Sequence, residues 1–201
     1  MAGESLLHRH QLVVEQKTKL FELRNEYRIF DETGAQVGSV MQVGQGIVTL
    51  LARIGTDWDV VLPVKLEIRE RDGSPVLLLH KPWFRMTVEV ARADGSAIGS
   101  IRKKIRVGKA RFVLADGSGA DIGEVRAQNW RARDFAVTDG NQQPVARVTK
   151  KWGGLAREVF TDADTYVLEL LPHAVDPLRS LALATALGID LVMKQKDYDQ
   201  G

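Results

Sequence analysis

The chain has 201 residues, of which 44% are hydrophobic and 27% charged, and its formal net charge is +2. This composition is typical of a folded globular protein and excludes a disordered tail or a fibre. The sequence contains no cysteine, which excludes disulfides, thiolate metal sites, a cysteine nucleophile and palmitoylation. No stretch is long and apolar enough for a membrane-spanning helix, and the first residues lack the apolar core of a signal peptide. We therefore expect a cytoplasmic protein without a transmembrane span.

Five similar segments follow one another along the chain. Each segment consists of two runs in which apolar and polar residues alternate. Between the two runs lies an acidic residue or Asn close to a glycine, at Gly34, Gly73, Gly95, Gly117 and Gly140. Alternation with a period of two gives a strand one buried face, and Asp-Gly tolerates the positive φ of a tight turn. Each segment therefore predicts a β-hairpin. Glycines just after three of the turns predict β-bulges or tight corners: Gly38, Gly99 and Gly123.

Many short antiparallel strands at regular spacing are typical of a sandwich, a barrel or a propeller. A propeller blade needs about 40 residues, whereas these repeats start roughly 22 to 24 residues apart after the second copy. The spacing therefore favours a barrel or a sandwich over a propeller.

The last quarter of the chain departs from this pattern. Asp176 and Pro177 are typical of a helix start, and Gly188 is typical of a helix end. The intervening stretch, 178–187, is rich in Leu and Ala on nearly every side of the predicted helix. A helix that is apolar all round must be buried on all sides. We expect the sheet to enclose this helix, and Ile189–Lys194 to close the barrel as a final strand.

The segment Val145–Asp164, VARVTKKWGGLAREVFTDAD, resembles the most characteristic stretch of the phospholipid scramblases. The chain is also similar to the LURP-one-related proteins in its short, cysteine-free form. The resemblance implies a mostly β, tubby-like fold: a closed antiparallel β-barrel built from hairpins around a buried apolar C-terminal α-helix. Further segments continue the resemblance, namely Asn25–Ile29, Leu66–Arg69, Pro82–Trp83 and Ile189–Asp190.

The resemblance covers most of the chain and sets the expected domain bounds. We expect an N-terminal segment over residues 1–20, a single scramblase-like barrel domain over 21–196 and a short tail over 197–201. The Pro-rich extension and the lipidated cysteine cluster of animal scramblases are absent from this sequence.

The resemblance also implies a calcium loop that would begin at Asp162 and Asp164. An EF-hand loop needs oxygen ligands at positions 1, 3, 5 and 12 and a glycine at position 6. Here positions 5, 6 and 12 are Tyr166, Val167 and His173. We interpret Asp162 and Asp164 as a weak calcium candidate whose main role is a turn with its carboxylates on backbone amides. No other cofactor is expected.

The segment from Arg102 to Arg157 contains 13 Lys and Arg against 5 Asp and Glu. Lys and Arg pair with phosphate, and Trp lies well at a membrane interface. We predict that two clusters bind lipid phosphate; the alternative is that they are solvated strand faces and that the Trp caps the core. The clusters are Lys150, Lys151, Trp152 and Arg157, and Arg102, Lys103 and Lys104.

The sequence contains no nucleophile elbow, Walker loop, zinc-binding helix or dinucleotide fingerprint, so we expect no enzyme chemistry. The leading hypothesis is a scramblase-related protein that binds anionic phospholipid at the cytoplasmic face of the plasma membrane, with lipid scrambling as a further activity. The alternative is a soluble ligand-binding or protein-interaction barrel. Nucleic-acid binding is less favoured, because few aromatic residues are interleaved with the basic runs.

Overall fold

The computed structural model describes residues 4–16, 26–43, 63–82, 86–104, 111–128, 134–151 and 165–193. Within these ranges twelve antiparallel strands form a closed barrel, followed by a helix. The predicted barrel of hairpins with a C-terminal helix is therefore confirmed. The elements are β1 (Gln11–Gln16), β2 (Glu26–Phe30), β3 (Gln36–Gln42), β4 (Val64–Glu70), β5 (Pro75–Lys81), β6 (Thr87–Arg92), β7 (Ala97–Lys104), β8 (Arg111–Asp116), β9 (Asp121–Ala127), β10 (Asp134–Asp139), β11 (Pro144–Lys151), β12 (Thr165–Leu170) and α1 (Leu178–Met193).

The barrel is closed by β1, which pairs with β12 on one side and β2 on the other. This strand lies within residues 1–20, the segment that the sequence analysis placed before the barrel domain. Its inward residues Leu12 and Val14 are fully buried. The hairpin pattern did not reveal β1, because no Asp-Gly turn follows it.

The prediction of a final strand over Ile189–Lys194 is wrong. Helix α1 continues through Gly188 to Met193, and Lys194 lies outside the described residues. Since β1 already pairs on both sides, the sheet has no place for a further strand. A glycine inside a helix costs only about 1 kcal/mol relative to alanine, so Gly188 does not end α1.

The five predicted hairpin turns are three-residue loops of one kind. In the fourth, the Asp116 N–H donates to the Ala120 carbonyl and the Gly119 N–H donates to the Asp116 carbonyl, both at 2.9 Å. The last loop residue has positive φ, as in a type I turn with a G1 bulge. The residues with positive φ are Gly34, Gly73, Gly95, Gly119 and Gln142. In the last two turns the glycine directly follows the aspartate that precedes the loop. Gly117 and Gly140 therefore occupy the first loop position, and the positive φ falls on Gly119 and Gln142 instead.

A second bulge follows each turn and adds one apolar residue to the following strand. Three of the residues that come next are glycines, as predicted for tight corners. A Cβ atom on Gly38 would lie 2.5 Å from the Arg69 carbonyl oxygen. The extra residues belong to the core or pack against it: Val37, Val76, Ile98, Ile122 and Val145.

Helix α1 is enclosed by the barrel, as the all-round apolar pattern predicted. Every residue from 181 to 187 is at most 1% exposed. Asp176 caps the start of α1, since its carboxylate accepts bonds from the Ser180 N–H at 3.2 Å and from the Ser180 hydroxyl at 2.7 Å. We call the barrel end with the five turns and the start of α1 the turn end, and the opposite end the loop end.

Candidate basic surface

Strand alternation divides the predicted basic clusters between the two faces of the sheet. Lys103 lies opposite Phe112, which is fully buried in the core, so Lys103 faces inward. Lys150 also faces inward, where its ammonium group lies 5.3 Å from the ring centroid of Tyr166. Arg102 faces outward and forms an ion pair with Asp121. The runs of consecutive cations therefore do not form one continuous surface.

Four of the predicted site residues lie outside the described residues: Trp152, Arg157, Asp162 and Asp164. Lys151 is the last residue of β11, and only its backbone is described. The resemblance-based calcium loop would place its positions 4 to 9 at 165–170. These residues form β12, which pairs with β1 and β11. An extended strand there is incompatible with the sharp turn that such a loop needs at position 6.

The outer face carries a row of cations, of which the sequence analysis named only Lys104. Lys104 lies opposite Arg111, and Arg111 lies opposite Arg126. The row continues through Ala136 to Arg147. These residues are isolated from one another in sequence, so only the strand register brings them together. Like charges directly opposite each other destabilise a sheet, which makes this row unusual.

Glu124 lies between the two central arginines of the row. Its side chain is only 5% exposed. The Arg111 Nε–H donates to Glu124 Oε2 at 2.5 Å, and the Arg126 guanidinium forms an ion pair with Oε1. Each carboxylate oxygen thus holds one arginine, and the two guanidinium groups are fixed side by side with a net charge of one.

Arg147 has a separate partner on the same face. It donates from Nε to Asp134 Oδ1 at 2.9 Å. This donor holds the pKa of the Asp134 carboxyl below its usual range. Glu169 lies opposite Arg147 on β12 and ends the row of cations.

The turn end has the opposite charge. The five turns carry seven carboxylates against two arginines, Arg71 and Arg92. Hydroxyl donors in four turns, such as Ser118 beside Asp116, hold the pKa of the turn aspartates below the ordinary 3.8 and keep them charged. The carboxylates are Asp31, Glu32, Glu70, Asp72, Asp94, Asp116 and Asp139.

A groove of about 770 Å³ lies on another part of the outer surface, across β4 to β7. Its lining is mixed: Leu78 and Ala91 are apolar, while Lys65, Thr87 and Ser118 are polar. It also contains a polar contact between His80 Nδ1 and Glu89 Oε2 at 3.2 Å. This lining has neither a single sign of charge nor a wholly apolar character.

Within the described ranges, no helix is both long and apolar enough to cross a membrane.

Comparison with solved structures supports the fold. A crystal structure of a protein from Arabidopsis thaliana superposes with a TM-score of 0.53 at 13% sequence identity, over 92% of this chain and 91% of that one. It has a tubby-like fold. At this identity the similarity establishes the architecture alone, and it agrees with the tubby-like barrel predicted from the sequence.

Curated relatives are distant but cover most of this chain. Altered inheritance rate of mitochondria protein 25 of Saccharomyces cerevisiae is 23% identical over 85% of this chain and 64% of its own length. A phospholipid scramblase family protein of Schizosaccharomyces pombe is 25% identical over 81% of this chain and 46% of its own length. The chain thus spans less than two thirds of either relative. The Scramblase family model matches residues 2–195, and the chain belongs to the Scramblase family.

Proposed function

We propose that this protein binds anionic phospholipid headgroups at the cytoplasmic face of a membrane. The observation that carries the proposal is the charge separation along the barrel. Carboxylates dominate the five turns at one end, whereas β7, β8 and β11 carry cations at the loop end, at Lys103–Lys104, Arg111 and Lys150–Lys151. Family membership supports a lipid as the partner.

This charge separation would orient the barrel on an anionic surface. Each Lys or Arg close to such a surface contributes about 1 kcal/mol of attraction, which fades within a Debye length of roughly 10 Å at 0.1 M salt. The carboxylates of the turn end would be repelled. The loop end would therefore approach the headgroups, and with it the predicted residues Lys150 and Lys151 at the end of β11.

Vesicle co-sedimentation tests the proposal with two matched charge reversals. Lys104→Glu changes an exposed residue near the loop end, and Arg71→Glu changes an exposed residue in a turn. Losing one attraction and gaining one repulsion changes the free energy by about 2 kcal/mol, or roughly 30-fold in affinity. We expect Lys104→Glu to weaken binding to phosphatidylserine vesicles by that factor and Arg71→Glu to leave it nearly unchanged. Absence of wild-type binding at low salt, or equal losses in both variants, would contradict the proposal.

We further propose that the protein moves lipids between the two leaflets, because it belongs to the Scramblase family. Residues 181–187 of α1 fill the barrel and are at most 1% exposed, so a headgroup would have to travel along the outside of the protein. Vesicles with a fluorescent lipid in both leaflets provide the test, with dithionite added to quench the outer leaflet. Protein-dependent loss of the protected inner fraction would support scrambling. An unchanged protected fraction would contradict scrambling and would be compatible with lipid binding without transport.

The groove across β4 to β7 favours a second candidate function, the binding of a soluble small molecule. Its volume of about 770 Å³ falls within the usual range of ligand pockets. Thermal-shift screening with Thr87→Trp as a blocking variant would test this candidate. A compound that stabilises the wild type but not the variant would support it, and the lack of any such compound would count against it.

A further inference from the structure

We infer that Lys104, Arg111 and Arg126 form a phosphate-binding site in which Glu124 positions the two guanidinium groups. The ligand chemistry is a phosphomonoester, carried by an anionic lipid headgroup. The assignment to lipid rests on the proposed function, whereas the phosphate chemistry rests on the site itself.

The first argument is the arrangement of like charges. The three cations occupy directly opposed positions on the neighbouring strands β7, β8 and β9 and share the outer face. Opposed side chains lie about 5 Å apart, so a single phosphate group can contact more than one of them. One carboxylate, Glu124, offsets only part of the repulsion among three neighbouring cations. An anion bound among them removes that repulsion.

The second argument is the position of Glu124. The Glu124 side chain is 5% exposed, lies beneath the arginines, and pairs with one of them through each carboxylate oxygen. A guanidinium has five N–H donors in a fixed plane, so each arginine keeps further donors for a ligand. Buried carboxylates that orient the groups binding a ligand commonly fix the geometry of such sites. Glu124 therefore acts as a positioning residue.

The third argument is the charge balance, which selects among phosphates. Three cations and one carboxylate give the site a net charge of +2. A phosphomonoester carries a charge of about −1.5 to −2 at neutral pH, whereas a phosphodiester carries only −1. The site therefore fits a terminal phosphate, as in phosphatidic acid or a phosphoinositide, better than the diester of phosphatidylserine.

The variant Glu124→Gln distinguishes two explanations of phosphate binding: positioning of the arginines by Glu124, and attraction by positive charge alone. The substitution makes the surface more positive, so binding driven by charge alone would strengthen. If Glu124 positions the arginines, the affinity for phosphatidic acid vesicles should instead fall about tenfold. Arg126→Lys keeps the charge but removes the planar fork, and it should cause a similar loss. Arg71→Ala at the turn end is the control and should change little.

The probes are phosphatidic acid vesicles, phosphatidylserine vesicles matched in surface charge, soluble inorganic phosphate and single-stranded DNA. Thermal melts check that each variant is folded. Should Glu124→Gln not fold, Arg126→Lys still tests positioning, and Lys104→Ala tests the site itself, because Lys104 is exposed at the end of β7. We expect phosphatidic acid to bind more tightly than phosphatidylserine, with only the site variants reducing that preference.

The outcomes distinguish this site from the wider proposal. Vesicle binding that all the variants retain would overturn the site and leave the proposed function standing. If the wild type binds no vesicle, the proposed function fails. In that case inorganic phosphate tests the phosphate site by NMR. A shift of the Nε–H resonances of Arg111 and Arg126 would support the site, and unchanged resonances would overturn it. Tighter binding of DNA than of phosphatidic acid would overturn the lipid assignment.

Discussion

Gly123 lies directly against Leu178, the first residue of α1. A Cβ atom at position 123 would lie 2.9 Å from Leu178 Cδ2 and closer still to the Thr138 carbonyl oxygen. We therefore expect Gly123→Ala to lower the free energy of unfolding by about 1 to 3 kcal/mol through overpacking. Urea denaturation measures the change.

Gly140→Ala is the matched control for that substitution. Its added Cβ would make only an ordinary contact, at 3.6 Å from the Ile122 carbonyl oxygen. Since Gly140 does not have positive φ, alanine there restricts the unfolded chain and should stabilise the protein by up to about 1 kcal/mol. Equal effects at the two positions would contradict the close approach of α1 to β9.

Leu183 tests the enclosure of α1. It is fully buried within the barrel, so Leu183→Ala should cost about 2 to 5 kcal/mol of stability. Val175 precedes the helix and is 69% exposed. Val175→Ala should change stability by less than about 0.5 kcal/mol. Similar urea midpoints for the two variants would show that α1 does not pack inside the barrel.

The turn aspartates predict how stability depends on pH. The Ser118 hydroxyl and nearby backbone amides hold the pKa of Asp116 below its ordinary value of 3.8. The unfolded chain therefore binds this proton at a higher pH than the folded protein does. The stabilisation is complete above about pH 4 and is lost as the pH falls through the lower pKa of the folded state.

Asp116→Asn isolates that contribution, because asparagine does not titrate. The variant should be less stable than wild type at pH 7, and the difference should shrink as the pH falls below 4. Urea midpoints measured across this range provide the test. A difference that stays constant with pH would mean that Asp116 titrates alike in the folded and unfolded chains.

Calcium should leave the melting temperature nearly unchanged. Tyr166 and Val167, at positions 5 and 6 of the loop implied by the resemblance, are buried residues of β12. A ligand at 100 times its dissociation constant would add about 2.7 kcal/mol, which corresponds to a shift of several degrees. Such a shift in millimolar calcium, abolished by Asp162→Ala, would contradict this prediction.

The sequence predicted the barrel because its strongest features are local. Each of the five segments with alternating apolar residues and an acidic turn specifies a hairpin. A helix that is apolar on all sides must be buried on all sides. The closing strand depends on a contact between β1 and β12, about 150 residues apart in the chain. Nothing local to Leu12 or Val14 indicates that partner, so an apolar segment after the helix was assigned the role instead.

The candidate site was harder to predict for the same reason. Consecutive cations such as Lys103 and Lys104 are prominent in the sequence, yet alternation places them on opposite faces of β7. Arg111 and Arg126 are inconspicuous in sequence and become neighbours only through the register of β8 and β9. That register depends on the bulge at Ile122, which shifts every later pair in β9 by one residue.

Arg179 helps to hold the N-terminal residues against the barrel, which leads to a last prediction. Arg179 of α1 donates to the carbonyl oxygens of Leu7, His8 and Arg9, with distances of 2.9 and 3.0 Å to the last two. This clamp places Leu6 in the core, where it is fully buried. Lysine cannot reproduce several N–H donors in one plane.

Arg179→Lys should therefore release residues 4–10 while the barrel itself stays folded. Hydrogen bonds to charged groups contribute about 1.5 to 3 kcal/mol each, so losing two of them should raise local opening of this segment by more than 100-fold. Hydrogen exchange measures the opening, and limited proteolysis before β1 provides an independent readout. Arg71→Lys, at an exposed turn, is the control. Because Ser5 and the Leu6 N–H are also bound by Glu70, at 2.6 and 3.1 Å, Glu70→Gln should weaken the same segment. Faster exchange throughout the barrel in Arg179→Lys would show instead that the arginine stabilises the whole fold.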